Sequence, residues 1–306
     1  MLHADEIPID LALVRSLVDA LLPAQRREPL RRLTSSGSSN ALFRLGDGLL
    51  VRLPRQPGGG TSIAKEARWL PHVGPQMPVA VPEVVAVGEP ALGYPEQWSV
   101  VRWIDGDPPE PLRPNGSGVA QDRLARDLAA VVAALRSTPV PADAVADPAL
   151  RWYRGEPLTS VDADVRQDVA DCRRIKGLDL DLDAAQRLWD EATSLSPAEP
   201  GAPQWYHGDL LAENLLVRDG RLVAVLDFGG LSIGDPTVDL TVAWELLDAP
   251  ATAAFRQALD VDDATWLRAR AWALFLCLIT FPYYWDTMPE RCASRLVTAR
   301  AVLAGG

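Results

Sequence analysis

Residues 207–214 read His-Gly-Asp-Leu-Leu-Ala-Glu-Asn, and residues 226–230 read Leu-Asp-Phe-Gly-Gly. Between them, apolar runs at 214–217 and 222–226 flank Asp219-Gly220, a dipeptide that supplies the positive φ angles of a tight hairpin turn, so a short antiparallel hairpin is predicted. A hairpin brings its two ends together, which places Asn214 and Asp227 across from each other, with Asp209 on the loop just ahead. Mg²⁺ is a hard ion that takes few protein oxygens and leaves its other positions to phosphate and water, so one carboxylate and one amide suffice to hold it. A second carboxylate, Asp209, is then left to orient a hydroxyl. Taken singly, Asp209 and Asn214 read equally well as turn residues and His207 as a core histidine; the joint spacing carries the chemistry.

Working outward, the segment before residue 105 reads as sheet with one internal helix. A helix is predicted after Asp10, with Leu11, Val14, Leu17, Val18, Leu21 and Leu22 at helical spacing until Pro23. Strands are predicted at 30–34, 41–45 and 49–53, the last two joined by Gly46-Asp47-Gly48, and again at 84–87 and 98–103. A Gly-rich loop at 58–60 leads into a helix over 62–70. Beyond Asp105-Gly106-Asp107-Pro108-Pro109 long helical patterns take over, at 121–135, 184–195, 238–247 and 264–281, with another from about Pro289. This shift marks two domains, 1–104 and 105–306.

The residues at 207–214 and 226–230 resemble the catalytic and metal-binding loops of the protein-kinase-like fold, in the form used by aminoglycoside and macrolide phosphotransferases. That resemblance implies an α+β, two-lobe fold, with a small antiparallel-sheet N-lobe that binds nucleotide and a larger, mainly helical C-lobe that carries catalysis and acceptor binding. It implies further that Asp209 is the catalytic aspartate, His207 the histidine that braces its loop, and Asn214 and Asp227 the Mg²⁺ ligands. Ser35, Ser36, Gly37, Ser38, Ser39 and Asn40 sit where the family's phosphate-covering loop belongs, although a Ser-rich turn accounts for the same stretch. The strand position that normally carries a phosphate-pairing lysine is Arg52, with Glu66 as its helix partner; a guanidinium can still grip phosphate in a bidentate manner. The nucleotide base would meet backbone groups at Arg102, Trp103 and Ile104.

Only Gly230 to Gly234 separate the Asp-Phe-Gly from Asp235-Pro236, too short for a peptide-docking activation segment, so the acceptor is expected to be a small molecule. Asp235 and Asp239 resemble the motif that opens the next helix and ties it to the catalytic loop, Asp235 serving equally as a helix cap. For the acceptor, Tyr283, Tyr284 and Asp286 offer aromatic faces beside a carboxylate, and Asp239 and Glu245 add acidic groups; Trp152 and Tyr153 are weaker candidates.

The 306 residues carry a net charge of −11, and it is concentrated: residues 1–104 balance at +1 and residues 105–306 at −12. Such a surface repels phosphate backbones and draws cationic ligands, so no nucleic-acid partner is expected, and a cationic acceptor is, unless the acid is merely solvated surface. Three cysteines without a CxxC pair argue against disulfides and structural zinc. The apolar run 271–281 is shorter than a membrane span and is predicted to be a buried helix; the amino terminus lacks a secretory pattern, and a cytoplasmic location is expected. The reading is a kinase moving the γ-phosphoryl of ATP or GTP, with Mg²⁺, to a hydroxyl of an antibiotic-like acceptor, an aminoglycoside first. A macrolide, a metabolic sugar or an amino alcohol is the alternative acceptor, and a nucleotide-binding pseudokinase the alternative class.

Overall fold

In the computed structural model, which describes residues 5–33, 39–110, 121–196 and 201–305, Asp10 caps the first helix by accepting from the Leu13 N–H at 2.8 Å. That helix, α1 (Leu11–Leu21), turns Val14, Leu17 and Val18 inward. Next come β1 (Leu30–Arg32), β2 (Asn40–Leu45), β3 (Leu49–Pro54), α2 (Gly60–Val73), β4 (Val84–Gly88) and β5 (Trp98–Arg102). The strands form one antiparallel sheet in the order β1-β2-β3-β5-β4, and Leu45 pairs with Leu49 across the Gly46-Asp47-Gly48 turn, where Gly46 has φ +54°. Alternate residues of β2, β3 and β5 pack on the inner side of α1: Phe43, Leu45, Val51, Leu53, Trp98 and Val100 share one core with Val14, Leu17 and Val18. Strand β1 stops short of the 30–34 expectation, at Arg32, and residue 34 lies outside the described residues.

The Gly-rich loop ahead of α2 serves the helix itself. Glu96 lays its carboxylate against the exposed helix N-terminus, accepting from Gly58 N at 2.8 Å and Gly60 N at 2.9 Å. A Cβ at Gly60 would lie 2.8 Å from both Gln97 N and Glu96 Oε2, so no larger residue fits there without movement.

The chain divides into two compact units, Met1–Gly106 with Ala224–Leu231, and Asp107–Val223 with Ser232–Gly306. A linear division at residue 104 misses the return of 224–231 to the first unit. Its cause is local bonding: Val225 N donates to Ala80 O at 3.0 Å, Asp227 pairs with Arg52, and the turn Phe228–Gly230 packs on α2, an added Gly229 Cβ lying 3.5 Å from Ser62.

The second unit holds α3 (Gln121–Ser137), α4 (Ala142–Ala146), α5 (Asp162–Cys172), α6 (Leu182–Ser194), β6 (Gln204–Tyr206), β7 (Leu215–Arg218) and the start of β8 (Arg221–Val225), then β9 (Ser232–Gly234), α7 (Val242–Leu246), α8 (Ala249–Ala258), α9 (Asp263–Leu278), α10 (Thr280–Tyr284) and α11 (Pro289–Ala304). Asp219 and Gly220 both take positive φ, 51° and 72°, as the predicted hairpin turn requires. Helix α9 is buried almost all round, from Trp266 through Leu278, so the apolar run is a core helix. The 238–247 stretch is not one α-helix. It begins as a 3-10 segment, Pro236–Thr241, and becomes α-helical only at α7, because Asp239 turns inward to bond backbone outside its own helix. Helices α5 and α8 escaped the periodicity reading, α5 because Asp dominates it and α8 because Pro250 stands in its first turn. Cys172, Cys277 and Cys292 are buried free thiols.

Candidate active site

Strand β6 pairs antiparallel with β9, Tyr206 opposite Ser232, and delivers His207 into the interior of the second unit, where it is fully buried. The backbone then turns sharply at Gly208, with φ +79°. Asp239 holds that turn: one oxygen accepts from His207 N and the other from Gly208 N, each at 2.7 Å. Asp209 N donates to His207 Nδ1 at 3.2 Å, so the imidazole bonds the backbone of the loop. Asn214 closes it from the far side, its Nδ2 donating to Asp209 O at 2.9 Å and Asp209 Oδ2 at 3.2 Å.

A cation absent from the sequence reading completes the setting of Asp209. Arg154, on the turn Tyr153–Gly155, donates from Nη1 to Gly208 O and to Asp209 Oδ1, both at 2.7 Å. Burial alone would raise the Asp209 carboxyl, but Arg154 first, then His207 and Arg295, hold it below the usual carboxylate range. Its side chain keeps 32% of its exposure, so an ionised carboxylate with one oxygen clamped faces solvent.

In the first unit, Arg52 grips Glu66 through two bonds, at 2.5 and 3.0 Å, and its Nη2 also reaches Asp227 Oδ1 at 3.2 Å. Burial works against the Arg52 charge; Glu66 and then Asp227 outweigh it, and the guanidinium titrates above its ordinary value. The expected Arg52–Glu66 pair is formed, and it is deeply buried, with Glu66 only 1% exposed. Asp227 adopts a left-handed backbone, φ 54° and ψ 69°, unusual for a residue with a Cβ and tolerated by Asp. Its Oδ1 is the oxygen that Arg52 and Gly229 N engage, at 3.2 and 3.4 Å, and no hydrogen bond occupies Oδ2 among the described residues.

Each unit offers a hard oxygen donor of the kind Mg²⁺, Mn²⁺ or Ca²⁺ accepts. Asn214 spends its Nδ2 hydrogens on Asp209, which leaves its carbonyl oxygen as a neutral hard ligand, and Asp227 keeps one carboxylate oxygen. No group of three His, Cys, Asp or Glu side chains suited to a metal exists among the described residues, so zinc-like ligation by protein alone has no site there.

Of the phosphate-loop candidates, Ser35, Ser36, Gly37 and Ser38 lie outside the described residues. Ser39 and Asn40 enter β2 with their carbonyls bound by Arg55, Ser39 O to Arg55 N at 2.8 Å and Asn40 O to Arg55 Nε at 3.2 Å. Arg102 N donates to Glu83 O at 3.0 Å and Trp103 N to Gly48 O at 2.9 Å, so two of the three N–H groups at 102–104 are consumed by the fold. The Arg102 side chain pairs with Glu83 at the surface, and the Trp103 ring lies 3.9 Å beneath the Arg44 guanidinium.

The acceptor candidates separate sharply. Asp239 is 1% exposed with both oxygens on the loop backbone, and Glu245 is buried against Arg295 at 3.2 Å while accepting from Ala212 N; neither is available to an acceptor, which corrects their assignment as acceptor-binding residues. Both acids support the loop from beneath. Tyr284 lies near the loop, since Arg291 sits 5.5 Å over its ring and pairs with Glu213. Tyr283 meets Tyr284 edge-on and is exposed, as is Asp286. The Trp152 and Tyr153 rings both carry the Arg154 guanidinium.

A model of the phosphotransferase enzyme family (APH) matches residues 31–272, and the chain belongs to that family. Over 64 residues it is 36% identical to an aminoglycoside 3'-phosphotransferase of Escherichia coli, a match that spans 21% of this chain and only 23% of that relative. The GDP complex of an aminoglycoside 2'-phosphotransferase-IIIa superposes with a TM-score of 0.71 at 18% identity, covering 97% of this chain and 99% of that one. A macrolide 2'-phosphotransferase, MphH from Brachybacterium faecium, gives 0.62 at 23% identity, covering 95% and 98%. These likenesses establish the protein-kinase-like α+β fold, with its antiparallel sheet and mainly helical remainder.

Proposed function

We propose that this protein is a small-molecule kinase that transfers the γ-phosphoryl of ATP or GTP to a hydroxyl. The observation that carries the reading is Asp209: an ionised, partly exposed carboxylate with Oδ1 pinned by Arg154 and Oδ2 steered by Asn214, on a loop built on buried hydrogen bonds. A carboxylate so held is placed to accept a hydrogen bond from an acceptor hydroxyl and take its proton as the oxygen bonds to phosphorus and the nucleoside diphosphate departs. Its depressed basicity suits a loose transfer, in which proton loss is late and positioning does most of the work. Asn214 and Asp227 would hold Mg²⁺, and bound there it would neutralise phosphate charge. Arg52 and Glu66 keep Asp227 in register from the protein side.

An aminoglycoside is the first acceptor reading, supported by family membership, the short match to a 3'-phosphotransferase and the −12 balance of residues 105–306. One observation favours a second. Three acids at the loop are matched by arginines, Asp209 by Arg154, Glu213 by Arg291 and Glu245 by Arg295, and the buried Asp239 is spent on backbone N–H groups, which reduces local attraction for a polycation and favours a macrolide or sugar with few ammonium groups. Nucleotide turnover with Mg²⁺ across a panel of aminoglycosides, macrolides, sugars and amino alcohols tests both. Asp209→Ala is expected to abolish turnover and leave nucleotide affinity nearly unchanged. Silence of the wild-type protein with every acceptor, alongside tight nucleotide binding, would favour a pseudokinase and overturn the proposal.

A further inference from the structure

Residues 207–214 contain no lysine or arginine, so no guanidinium or ammonium of the catalytic loop itself pairs with Asp209. The cation comes from a turn 55 residues earlier in the chain, and that turn is firmly anchored. Tyr206 OH donates to Trp152 O at 3.1 Å, and Asp235 N donates to Gly155 O at 3.1 Å. Gly155 packs so closely on Tyr206 that an added Cβ would fall 2.5 Å from its hydroxyl oxygen. The turn is thereby tied both to the strand that delivers the loop and to the segment that follows β9.

Its side chain is equally constrained. The Arg154 guanidinium carbon lies 4.3 Å from the Trp152 ring centroid and 5.7 Å from that of Tyr153, and Nε donates to Tyr153 OH at 3.1 Å. A stacked, bonded guanidinium has few rotamers left to lose, so its Nη1 contacts with Gly208 O and Asp209 Oδ1 are preorganised. One bond holds the loop backbone at its positive-φ glycine and the other sets the plane of the carboxylate, directing Oδ2 to the side where Asn214 bonds it.

We propose that Arg154 is a positioning residue for phosphoryl transfer, orienting Asp209 for the acceptor hydroxyl and offsetting its charge as the like-charged terminal phosphate approaches. This rests on the kinase reading above. In the step itself the acceptor oxygen bonds to the γ-phosphorus, the bond from that phosphorus to the β,γ-bridging oxygen breaks, the nucleoside diphosphate leaves with that electron pair, and the acceptor proton passes to Asp209 and on to water. Arg154 neither gains nor loses a proton; it fixes where the receiving oxygen stands and reduces the repulsion between carboxylate and phosphate.

The test compares wild type, Arg154→Met and Arg154→Lys with the acceptor that the panel identifies, measuring kcat, both KM values and thermal unfolding. Loss of the clamp should lower kcat by about 100-fold in Arg154→Met with the nucleotide KM within about threefold, the scale of a misplaced reacting group. Arg154→Lys, which keeps a charge that can reach Oδ1 but loses the Tyr153 bond, should recover about tenfold of that. Unchanged kcat in Arg154→Met would overturn the proposal, and so would a fall in kcat that tracks a fall in melting temperature and that lysine does not restore. Should the methionine variant not fold, Arg154→Lys decides alone: kcat reduced at unchanged melting temperature supports the clamp, and kcat equal to wild type refutes it. A wild-type protein that phosphorylates nothing refutes the kinase reading instead, a result distinct from any of these.

Discussion

Asp239→Ala should destabilise the protein and disorganise the loop that carries Asp209. The carboxylate satisfies two buried N–H groups, on His207 and Gly208, at 2.7 Å each, and is 1% exposed, so water cannot replace it without opening the fold. Each buried donor left unpaired costs about 1–3 kcal/mol, which gives about 2–6 kcal/mol for the pair. Burial also raises the Asp239 pKa, partly opposed by His207 and by the two N–H groups, so its charge is held at some cost and deleting it returns part of the loss. The lower half of the range, about 2–4 kcal/mol, is therefore expected. That is a large share of the total stability of an ordinary domain, about 5–15 kcal/mol. Asp239→Asn keeps one acceptor but turns an amide N–H₂ toward the second donor, and should lose about 1–3 kcal/mol. Urea unfolding of wild type and both variants at matched m-values gives the differences, and amide exchange at His207 and Gly208 reads the loop directly. A midpoint unchanged in Asp239→Ala, or undiminished protection of those two amides, would refute the reasoning.

Arg52→Ala strands Glu66 as an uncompensated carboxylate at 1% exposure and should cost about 3–5 kcal/mol in urea unfolding, with Arg52→Lys clearly milder; a loss under about 1 kcal/mol would mean that Glu66 finds another partner. Asp168, half-buried on α5, is pushed up to about 6 by burial and by Asp164 and Asp171, against an unperturbed carboxylate near 4. The folded state thus holds the proton more tightly than the unfolded one, and the associated stability is complete below about pH 4 and lost as pH rises through about 6. Asp168→Asn should therefore exceed wild type by about 1 kcal/mol near pH 7.5, after discounting for solvent screening, with the gain shrinking toward pH 4; a gain independent of pH would contradict this.

Local physics made much of this protein legible in its sequence. The Asp10 cap, the Gly46-Asp47-Gly48 and Asp219-Gly220 turns, the strand alternations and the buried run of α9 rest on bonds or periodicities that span a few residues, and each is present in the structure. The Arg52–Glu66 pair was also within reach, because it joins a strand to the helix that follows directly. The hidden 3-10 start at Pro236 marks where that local logic ends, since a long-range bond from Asp239 overrode the helical pattern.

By itself, then, the sequence determined most of the element types and singled out the candidate set His207, Asp209, Asn214 and Asp227, which depends on spacing along a short stretch of chain. Tertiary structure alone decided what surrounds them: that residues 224–231 group with the first unit, that Asp239 and Glu245 face inward as supports, and that Arg154 stands against Asp209 from 55 residues away. The physical reason is the range of the forces. Turn chemistry and side-chain periodicity act between near neighbours and leave a pattern in the residue order, whereas a buried carboxylate needs only some donor or cation within about 3 Å, and the path of the folded chain selects which one arrives.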